Sequence, residues 1–412
     1  MRIVVCSHRL EIGGSQTNAI DLAWALASRG HEVTLFASDG PARDLVKKRE
    51  LDLVMAPERA GTVSVASAVA LCRLVRMRQP DLVHAYEWPQ CLDAFYGPHL
   101  FLGTPIVFSI LSMTVPRWLP KQIPLVVGTS QLEHELAPRW HAPVVAIEPP
   151  IDTDADDPET LERSTLREEL GLPDTCVHIV IVSRLVEAMK LEGIRRAIEA
   201  AQILAGSADI HLTVVGDGPA RSSLDSLAKQ VNAETGQQVV TILGPMLDPR
   251  PAYASADVVL GMGSSALRAM SFGKPVIVLG ERGFSQPLTG ATLARFVWTG
   301  FYGFGSGDAS PHELAAQIKD LITDREERQR LGVLGRKLVL ERFSLHQAAR
   351  RLEEFYRSAL SLRPGRPRTW ASACLPTAHL AVSLSLPEAI KNGLSRLLPR
   401  RLQPPPHPWE VR

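Results

Sequence analysis

The sequence predicts an α/β protein made of two doubly wound, parallel-sheet domains in series. Short β-branched runs alternate with amphipathic stretches over the first 360 residues, and this alternation demands parallel strands joined by helices. The alternation breaks at Pro149-Pro150 and in the acidic stretch 152–157, which we interpret as a solvated linker. The length of 412 residues suits two or three domains of ordinary size.

The first half begins with a strand, a turn, a helix and a second strand. Residues 2–6 form a β-branched run, Gly13-Gly14 supply a turn, and apolar residues at helical spacing follow until Gly30. The next strand is predicted at 32–36. Further strands are predicted at 51–55, 81–85, 105–110, 125–129 and 144–147, and a helix at 63–77.

The second half repeats this organisation. Strands are predicted at 177–183, 211–215, 239–243, 258–260 and 275–279, and helices at 194–205, 313–323, 326–342 and 347–362. Ligands of open α/β sheets bind at the carboxyl ends of the strands, so we expect a site in a cleft between the two domains. The expected divisions are domains 1–155 and 165–345, a terminal helix 346–362 that packs back on the first domain, and a basic Pro-rich tail 363–412.

Composition excludes several classes of function. Lys+Arg 45 against Asp+Glu 44 gives a net charge of +1, so no overall field attracts nucleic acid. Five scattered cysteines without a CxxC pair argue against a disulfide framework and a zinc site, and no other metal-ligand spacing occurs. We expect no membrane span, because no apolar run is long enough, and no signal peptide. We therefore expect a cytoplasmic protein, with peripheral membrane contact as an option.

Several short motifs then follow one another in a fixed order. The chain resembles the GT-B glycosyltransferases, in particular the retaining, nucleotide-sugar-dependent family-four group, over about residues 1–360. The motifs are Gly13-Gly14, Gly30-His31-Glu32-Val33, Asp81-Leu82-Val83-His84-Ala85, Pro149-Pro150-Ile151-Asp152, Val182-Ser183-Arg184-Leu185, Val214-Val215-Gly216-Asp217-Gly218-Pro219, Ala254-Ser255-Ala256-Asp257-Val258-Val259 and Ala269-Met270-Ser271-Phe272-Gly273-Lys274-Pro275-Val276-Ile277.

The resemblance implies a fold of two Rossmann-like domains that face a cleft. It also implies transfer of a sugar from a nucleotide sugar to an acceptor hydroxyl, with retention of configuration and without a metal. No cofactor is expected beyond the nucleotide sugar, which is a co-substrate. The resemblance places the donor on the second domain and the acceptor on the first. The acceptor stays open between a glycan, a lipid-linked molecule and a small molecule.

Two cations follow the predicted strand 177–183. The departing diphosphate carries negative charge, and a fixed guanidinium and ammonium stabilise it without a metal. The family uses an Arg and a Lys after this strand, which correspond here to Arg184 and Lys190. The Lys lies one place later than the commonest spacing. The alternative is a pair of solvated loop cations.

The resemblance also assigns small and polar residues at strand-to-helix turns to the donor. Glycines let a ligand approach the backbone, and helix N-termini offer free N–H groups to an anion. The expected donor-binding residues are Gly13, Gly14, Gly216, Asp217, Gly218, Gly263, Ser264, Ser265, Arg268 and Glu281. Two structural alternatives stay open. Gly13-Gly14 can form a plain turn, and Asp217 can stabilise a turn or cap a helix.

The sequence departs from the family pattern in the second domain. Relatives carry two glutamates, one toward the sugar and one toward the nucleotide ribose; the corresponding residues here are Leu260 and Arg268. Arg268 has only donors and cannot accept a hydrogen bond from a ribose hydroxyl. We expect Arg268 to contact phosphate or to pair with Glu281, unless it is a plain surface cation.

A second departure lies in the first domain. The resemblance implies a histidine after the strand at 105–110, a place that Leu111 or a neighbouring residue fills in this chain. His84 is the remaining candidate for a contact to a sugar or acceptor hydroxyl, with Glu87 as a candidate base. The alternative for His84 is a half-buried structural histidine.

Two other functions stay open beside the transferase. The missing glutamates also fit a catalytically silent GT-B scaffold that binds a nucleotide sugar or a partner protein. A sugar-nucleotide epimerase is a third option. The tail carries arginines and a weakly amphipathic stretch at 386–398, which fit either an anionic membrane contact or a disordered appendage.

Overall fold

The computed structural model describes residues 1–7, 9–11, 13–58, 64–160, 164–246 and 248–362. The chain forms two compact units. The first contains Met1–Pro149 and takes in the chain again from His346; the second is Pro150–Leu345. The predicted tail 363–412, with its stretch at 386–398, lies outside the described residues.

The first unit is a seven-stranded parallel sheet with helices between the strands. Its strands are β1 (Arg2–Cys6), β2 (Glu32–Ala37), β3 (Asp52–Met55), β4 (Leu82–Tyr86), β5 (Ile106–Ile110), β6 (Leu125–Val127) and β7 (Val144–Ala146). Its helices before the second unit are α1 (Gly14–Ser28), α2 (Arg43–Lys48), α3 (Val65–Arg78), α4 (Glu87–Ala94), α5 (Leu100–Leu102) and α6 (Ser130–Leu136).

The strand order of this sheet is β3-β2-β1-β4-β5-β6-β7. Strands β2 and β3 lie on one side of β1, and β4 to β7 follow one another on the other side. The order of the strands therefore reverses between β1 and β4, which makes this position the topological switch point. Strands β4, β5 and β6 are buried along their whole length, as expected for a parallel sheet covered on both faces. These strands consist mostly of apolar residues, which explains why the sequence predicts them well.

The second unit has a six-stranded sheet in the order β10-β9-β8-β11-β12-β13. Its strands are β8 (Val177–Val182), β9 (Ile210–Val215), β10 (Val240–Leu243), β11 (Val258–Gly261), β12 (Val276–Leu279) and β13 (Ser285–Pro287). Its helices are α7 (Leu166–Glu169), α8 (Glu192–Ala205), α9 (Arg221–Thr235), α10 (Arg250–Ser255), α11 (Ser264–Ser271), α12 (Leu293–Thr299), α13 (Pro311–Thr323) and α14 (Arg325–Arg342).

Strands β8 and β11 flank the switch point of this second sheet. All its pairings are parallel except the last, because β13 runs antiparallel to β12. The sequence analysis does not predict β13, which is three residues long and includes Pro287. Proline lacks the N–H that a ladder needs, so it is confined to sheet edges such as this one.

The last helix, α15 (Leu345–Ser361), packs on the first unit through polar contacts. Arg29 Nε and Nη2 donate to Glu353 at 2.9 and 2.6 Å. Arg351 Nη2 donates to the carbonyl of Ala146 at 2.7 Å. Glu353 is buried, so these bonds hold the helix by charge-assisted pairing in a site shielded from water.

The acidic stretch after Pro150 is not a solvated linker, and this prediction is wrong. Asp156 is buried and accepts a hydrogen bond from Arg268 Nε at 2.7 Å. Asp157 accepts one from Arg336 at 2.9 Å, and the Ser271 hydroxyl donates to the carbonyl of Asp156 at 3.0 Å. These bonds fasten the stretch to α11 and α14. The prediction fails because these aspartates pair with arginines that are distant in the sequence, which composition alone does not reveal.

Each unit also encloses a histidine in its sheet. His84 is fully buried in the first unit, and burial lowers its pKa to about 3. His178 is fully buried in the second, where its Nε2 lies 2.8 Å from the Thr213 hydroxyl. Burial, with smaller effects of neighbouring charges, lowers the pKa of His178 to about 4. Both rings are therefore neutral in the folded protein at pH 7.

We expect stability to fall as the pH drops from about 6.5, the pKa of an unfolded histidine, toward 4. In this window the unfolded chain binds protons that folded His84 and His178 do not, which costs up to about 1.4 kcal/mol per histidine and pH unit. Urea unfolding at several pH values measures this. His178→Asn should make the dependence shallower, whereas His312→Asn at an exposed position should not. Equal slopes for wild type and His178→Asn would contradict the assignment.

Candidate functional site

The candidate donor site lies at the carboxyl edge of the second sheet. Strands β8, β9, β11 and β12 are parallel neighbours in that sheet, so their carboxyl ends share one edge. Arg184 follows β8, Asp217 follows β9, Ser264 follows β11 and Glu281 follows β12. The sheet thus brings the predicted residues of the second domain to one edge, on both sides of its switch point.

Arg184 and Lys190 form a cationic pair at this edge. Arg184 is exposed and Lys190 is half-buried, and among the described residues neither has an acidic partner. Burial, together with the positive charge of Arg184, lowers the pKa of Lys190 to about 8. Two adjacent cations that no carboxylate neutralises make a site suited to an anion with two or more negative charges.

A kinked turn over Glu187–Leu191 positions Lys190. Met189 has a φ of +66°, an uncommon conformation for a residue with a side chain. The turn closes through a hydrogen bond from Leu191 N to the carbonyl of Val186 at 3.1 Å. Strained backbone of this kind persists where the surrounding structure fixes it, as at functional sites. The sequence analysis did not predict it, because no sequence signal marks Met189.

Glu192, the first residue of α8, is a second feature that the sequence analysis missed. Its carboxylate accepts hydrogen bonds from the backbone N–H groups of Arg282, at 3.0 Å, and Gly283. Glu192 therefore ties the segment that carries Lys190 to the loop after β12. Its partners lie about 90 residues away in the sequence, so no local motif could reveal them.

Two glycines let the turn after β9 approach the loop after β8. A Cβ on Gly216 would lie 1.9 Å from the carbonyl oxygen of Ser183, and one on Gly218 would lie 2.4 Å from that of Leu185. Both glycines have φ near +150°, which other residues rarely adopt. The hydrogen bond from Leu185 N to the carbonyl of Asp217, at 2.8 Å, closes the contact. These two glycines therefore support the backbone on both sides of Arg184.

Asp217 stabilises the turn itself. Its Oδ1 accepts a hydrogen bond from the N–H of Gly218 at 2.9 Å, and its side chain is half exposed. Helix α9 begins four residues later at Arg221, so Asp217 is not its N-cap. The turn alternative that the sequence left open describes this geometry, and the expected donor contact of Asp217 stays a prediction.

The turn between β11 and α11 presents a helix N-terminus. Gly263 precedes α11 with a φ of +55°, and no backbone acceptor in the described chain takes the N–H groups of Ser264, Ser265 and Ala266. Ser264 is exposed at this end. The hydroxyl of Ser265 accepts a hydrogen bond from the N–H of Met262 at 3.2 Å and donates one to the carbonyl of Met262 at 3.1 Å. Ser265 can therefore offer a ligand its backbone N–H rather than its hydroxyl.

The two positions without glutamates have structural roles. Leu260 is fully buried in the core of the second unit. Arg268 binds the buried Asp156, so the expected pairing with Glu281 is wrong. Glu281 instead accepts a hydrogen bond from the hydroxyl of Tyr302. Burial and this carboxylate raise the pKa of Tyr302, which stays protonated and donates. The expected phosphate contact of Arg268 competes with its pairing to Asp156.

In the first unit, Gly13 and Gly14 form the N-terminus of α1. Gly13 has an extended φ of −159°, which any residue adopts, and no side chain caps the helix. A Cβ on Gly13 would meet only the flexible end of Gln16. The backbone geometry therefore does not require glycine at position 13, and a role of Gly13-Gly14 in approaching a ligand stays a prediction.

His84 does not reach a substrate, and the predicted catalytic role is wrong. Its Nδ1 lies 2.6 Å from the hydroxyl of Tyr356 on α15, and its Nε2 lies 2.8 Å from that of Ser109 on β5. Both ring nitrogens are thus used inside the first unit, and the side chain is fully buried. His84 is a structural residue that joins two strands of the sheet to the last helix.

Glu87 directly follows β4 and has a left-handed backbone conformation. Its φ is +61°, and its carboxylate accepts hydrogen bonds from Leu111 N at 3.2 Å and the Ser112 hydroxyl at 2.8 Å. Burial raises the pKa of Glu87. Glu87 therefore holds the loop in which relatives carry a histidine, and its predicted role as a base stays a prediction.

Among the described residues, no group of three or more His, Cys, Asp or Glu side chains could hold a metal ion. In the same part of the chain, no helix is both long enough and apolar enough to cross a membrane.

Alanine at position 216 or 218 should strain the turn and displace the loop of Arg184. We expect each substitution to lower the free energy of unfolding of the second unit by about 2–4 kcal/mol, because a Cβ would overlap a carbonyl oxygen and φ is unfavourable. Urea unfolding measures this. Gly206→Ala is the control, since that glycine has a φ of −78° and open space around it. If all three variants are equally stable, the close approach does not support the loop.

Comparison with known proteins extends these observations. Residues 176–324 match the family model described as Glycosyl transferases group 1, and residues 12–155 match Glycosyltransferase Family 4. A curated relative from Mycolicibacterium smegmatis, the GDP-mannose-dependent alpha-(1-6)-phosphatidylinositol monomannoside mannosyltransferase, is 28% identical over 220 residues, 50% of this chain and 54% of that protein. The chain thus matches only about half the length of that relative.

Solved structures show the same fold. A glycosyltransferase from Rickettsia africae superposes with a TM-score of 0.69 at 17% identity, covering 87% of this chain and 98% of the other. The Anabaena protein HepE, in complex with UDP and glucose, gives a TM-score of 0.67 at 19% identity, covering 87% of this chain and all of the other. With family matches to both halves and this shared architecture, the chain belongs to the GT-B glycosyltransferases of the family-four type.

Proposed function

We propose that this protein transfers a sugar from a nucleotide-sugar donor to an acceptor hydroxyl. The observation that carries the proposal is the pair Arg184 and Lys190, two adjacent cations at the carboxyl edge of the second sheet without an acidic partner in the described chain. A nucleoside diphosphate supplies the missing negative charge. The family matches supply the reaction class.

The proposed chemistry is electrostatic. As the bond from the sugar to the diphosphate breaks, negative charge grows on the leaving phosphate. Arg184 offers a planar set of donors, Lys190 offers a partly desolvated ammonium, and the N-terminus of α11 offers backbone N–H groups. Burial strengthens the effect of Lys190, because a charge acts more strongly where water is excluded.

Retention of configuration and independence of metal belong to the proposal as well. Retention rests on the family-four match. Metal independence is supported by the two cations, which can carry out the charge stabilisation that a divalent ion provides in other transferases. The acceptor is proposed to bind to the first unit, and a cleft between the domains stays a prediction.

The relatives suggest the first donors and acceptors to test. The mycobacterial relative is named for GDP-mannose and a phosphatidylinositol mannoside, and HepE was solved with UDP and glucose. We therefore propose GDP-mannose and UDP-glucose as first donors, and a glycolipid hydroxyl as the first acceptor. Peripheral action at a cytoplasmic membrane surface is part of the same proposal.

Removing either cation should weaken donor binding. We expect a nucleotide sugar to raise the melting temperature of the wild type, and Arg184→Ala or Lys190→Ala to weaken its affinity at least tenfold, since a charged hydrogen bond contributes about 1.5–3 kcal/mol. Thermal-shift titration measures both. Lys319→Ala, an exposed lysine on α13, is the control.

A donor that binds and is transferred to an acceptor supports the proposal. Binding without turnover over a broad acceptor panel would favour the silent scaffold instead. Conversion of the donor sugar without any acceptor would favour an epimerase. Binding unchanged in both variants would contradict the assignment of the phosphate site.

Donor affinity should also fall as the pH rises through about 8. Free Lys190 loses its proton near this pH, and only the charged form pairs with phosphate. A nucleotide sugar has no phosphate proton to lose in this range, so the effect belongs to the protein. Titrations from pH 6.5 to 9.5 should show up to about a tenfold loss per pH unit above 8, and Lys190→Met should remove the dependence. A flat wild-type profile would refute the role of Lys190.

A further inference from the structure

The outward face of α3 in the first unit combines exposed apolar side chains with arginines. We define this face as Val65, Val69, Arg73, Arg76 and Met77. Val65 is 75% exposed, Met77 72% and Val69 45%. At 100° per residue these five side chains fall within one arc of the helix. Three large exposed apolar side chains on a single helix face are more than scattered surface hydrophobics require.

The opposite face of α3 already has its partner. Leu71, Leu74 and Val75 are buried in the core of the first unit. The position of Ala68 on the helix is fixed by Gly97, where an added Cβ would lie 3.0 Å from the Ala68 carbonyl oxygen. Helix α3 is thus anchored to its own domain without using the outward face.

The charge of the outward face has one sign. Helix α3 contains no aspartate or glutamate. Arg73 and Arg76 are exposed, and no acidic partner for either is found among the described residues. Arg78 differs, because it pairs with Asp52 at 3.0 Å. The helix dipole favours a cation in the last turn, which accounts for Arg76 but not for Arg73 or for the exposed valines and methionine.

We propose that the outward face of α3 docks on an anionic lipid surface. Valine and methionine side chains enter the boundary between headgroups and acyl chains, and arginines above them pair with lipid phosphates. The combination of exposed apolar side chains with positive charge and no negative charge is complementary to such a surface. The inference rests on the peripheral membrane action in the proposed function and names the surface that carries it, and vesicle binding tests it separately from sugar transfer.

Vesicle co-sedimentation of the full chain tests this. Vesicles of phosphatidylcholine alone are compared with vesicles that also contain phosphatidylglycerol. We expect wild type to bind the anionic vesicles, to be released by high salt, and to bind neutral vesicles poorly. Arg73→Ser/Arg76→Ser should weaken binding about tenfold or more, because each arginine near the surface contributes substantially. Val65→Ser/Val69→Ser/Met77→Ser should weaken it as well.

Matched controls keep the outcome specific. Lys47→Ser/Lys48→Ser removes the same charge from α2 of the same unit, and Val333→Ser/Leu340→Ser removes exposed apolar side chains from α14 of the second unit. Neither should change vesicle binding. Nucleotide-sugar binding should be unaltered in every variant, which shows that each is folded and separates this proposal from the proposed function.

Three results would overturn the inference. The first is a wild type that does not prefer anionic vesicles. The second is α3 variants that bind as wild type does, which assigns the binding to another part of the chain, including residues 363–412. The third is a dimer in sedimentation that the α3 variants abolish, which shows that a second copy of the chain covers this face.

Discussion

The candidate donor site depends on one backbone contact, between the turn after β9 and the loop after β8. Without side chains at Gly216 and Gly218, the turn lies directly against the carbonyls of Ser183 and Leu185. Arg184 stands between those two residues, so its backbone is held on both sides while its side chain stays exposed. Fixing this backbone limits the positions that the Arg184 guanidinium can reach, and a charge that needs little reorganisation stabilises a developing anion better.

At this edge of the sheet, neither of the two positions at which the family pattern has a glutamate offers a carboxylate. Leu260 faces the core, Arg268 is held by Asp156, and Glu281 is engaged by Tyr302. The two cations and the N-terminus of α11 donate hydrogen bonds, whereas the half-exposed carboxylate of Asp217 accepts them. The donors suit a phosphate, because hydrogen bonds between charged groups are stronger than those between neutral ones. Putting a glutamate back at position 260 would bury a carboxylate in an apolar core, so it could not simply restore the family pattern.

The sequence predicts most of the architecture because long Val, Ile and Leu runs mark buried parallel strands. Short elements escape it: β13 contains a proline, and α4 is only eight residues long. How well a residue's role can be predicted depends on how far away its partners lie along the chain. A local motif makes Arg184 and Lys190 candidates, and their roles stay predictions. The true partners of His84 and Arg268 lie 272 and 112 residues away, which no spacing argument could find.

The return of α15 to the first unit has a consequence for synthesis. The chain leaves the first unit at Pro149 and rejoins it at His346, so the second unit is complete before the first. Until the ribosome has released α15, His84 lacks the hydroxyl of Tyr356, and Arg29 lacks the carboxylate of Glu353. The first unit therefore finishes folding last, although it contains the amino terminus. A nascent chain that stops after Leu345 would contain a complete second unit and a first unit that still lacks α15.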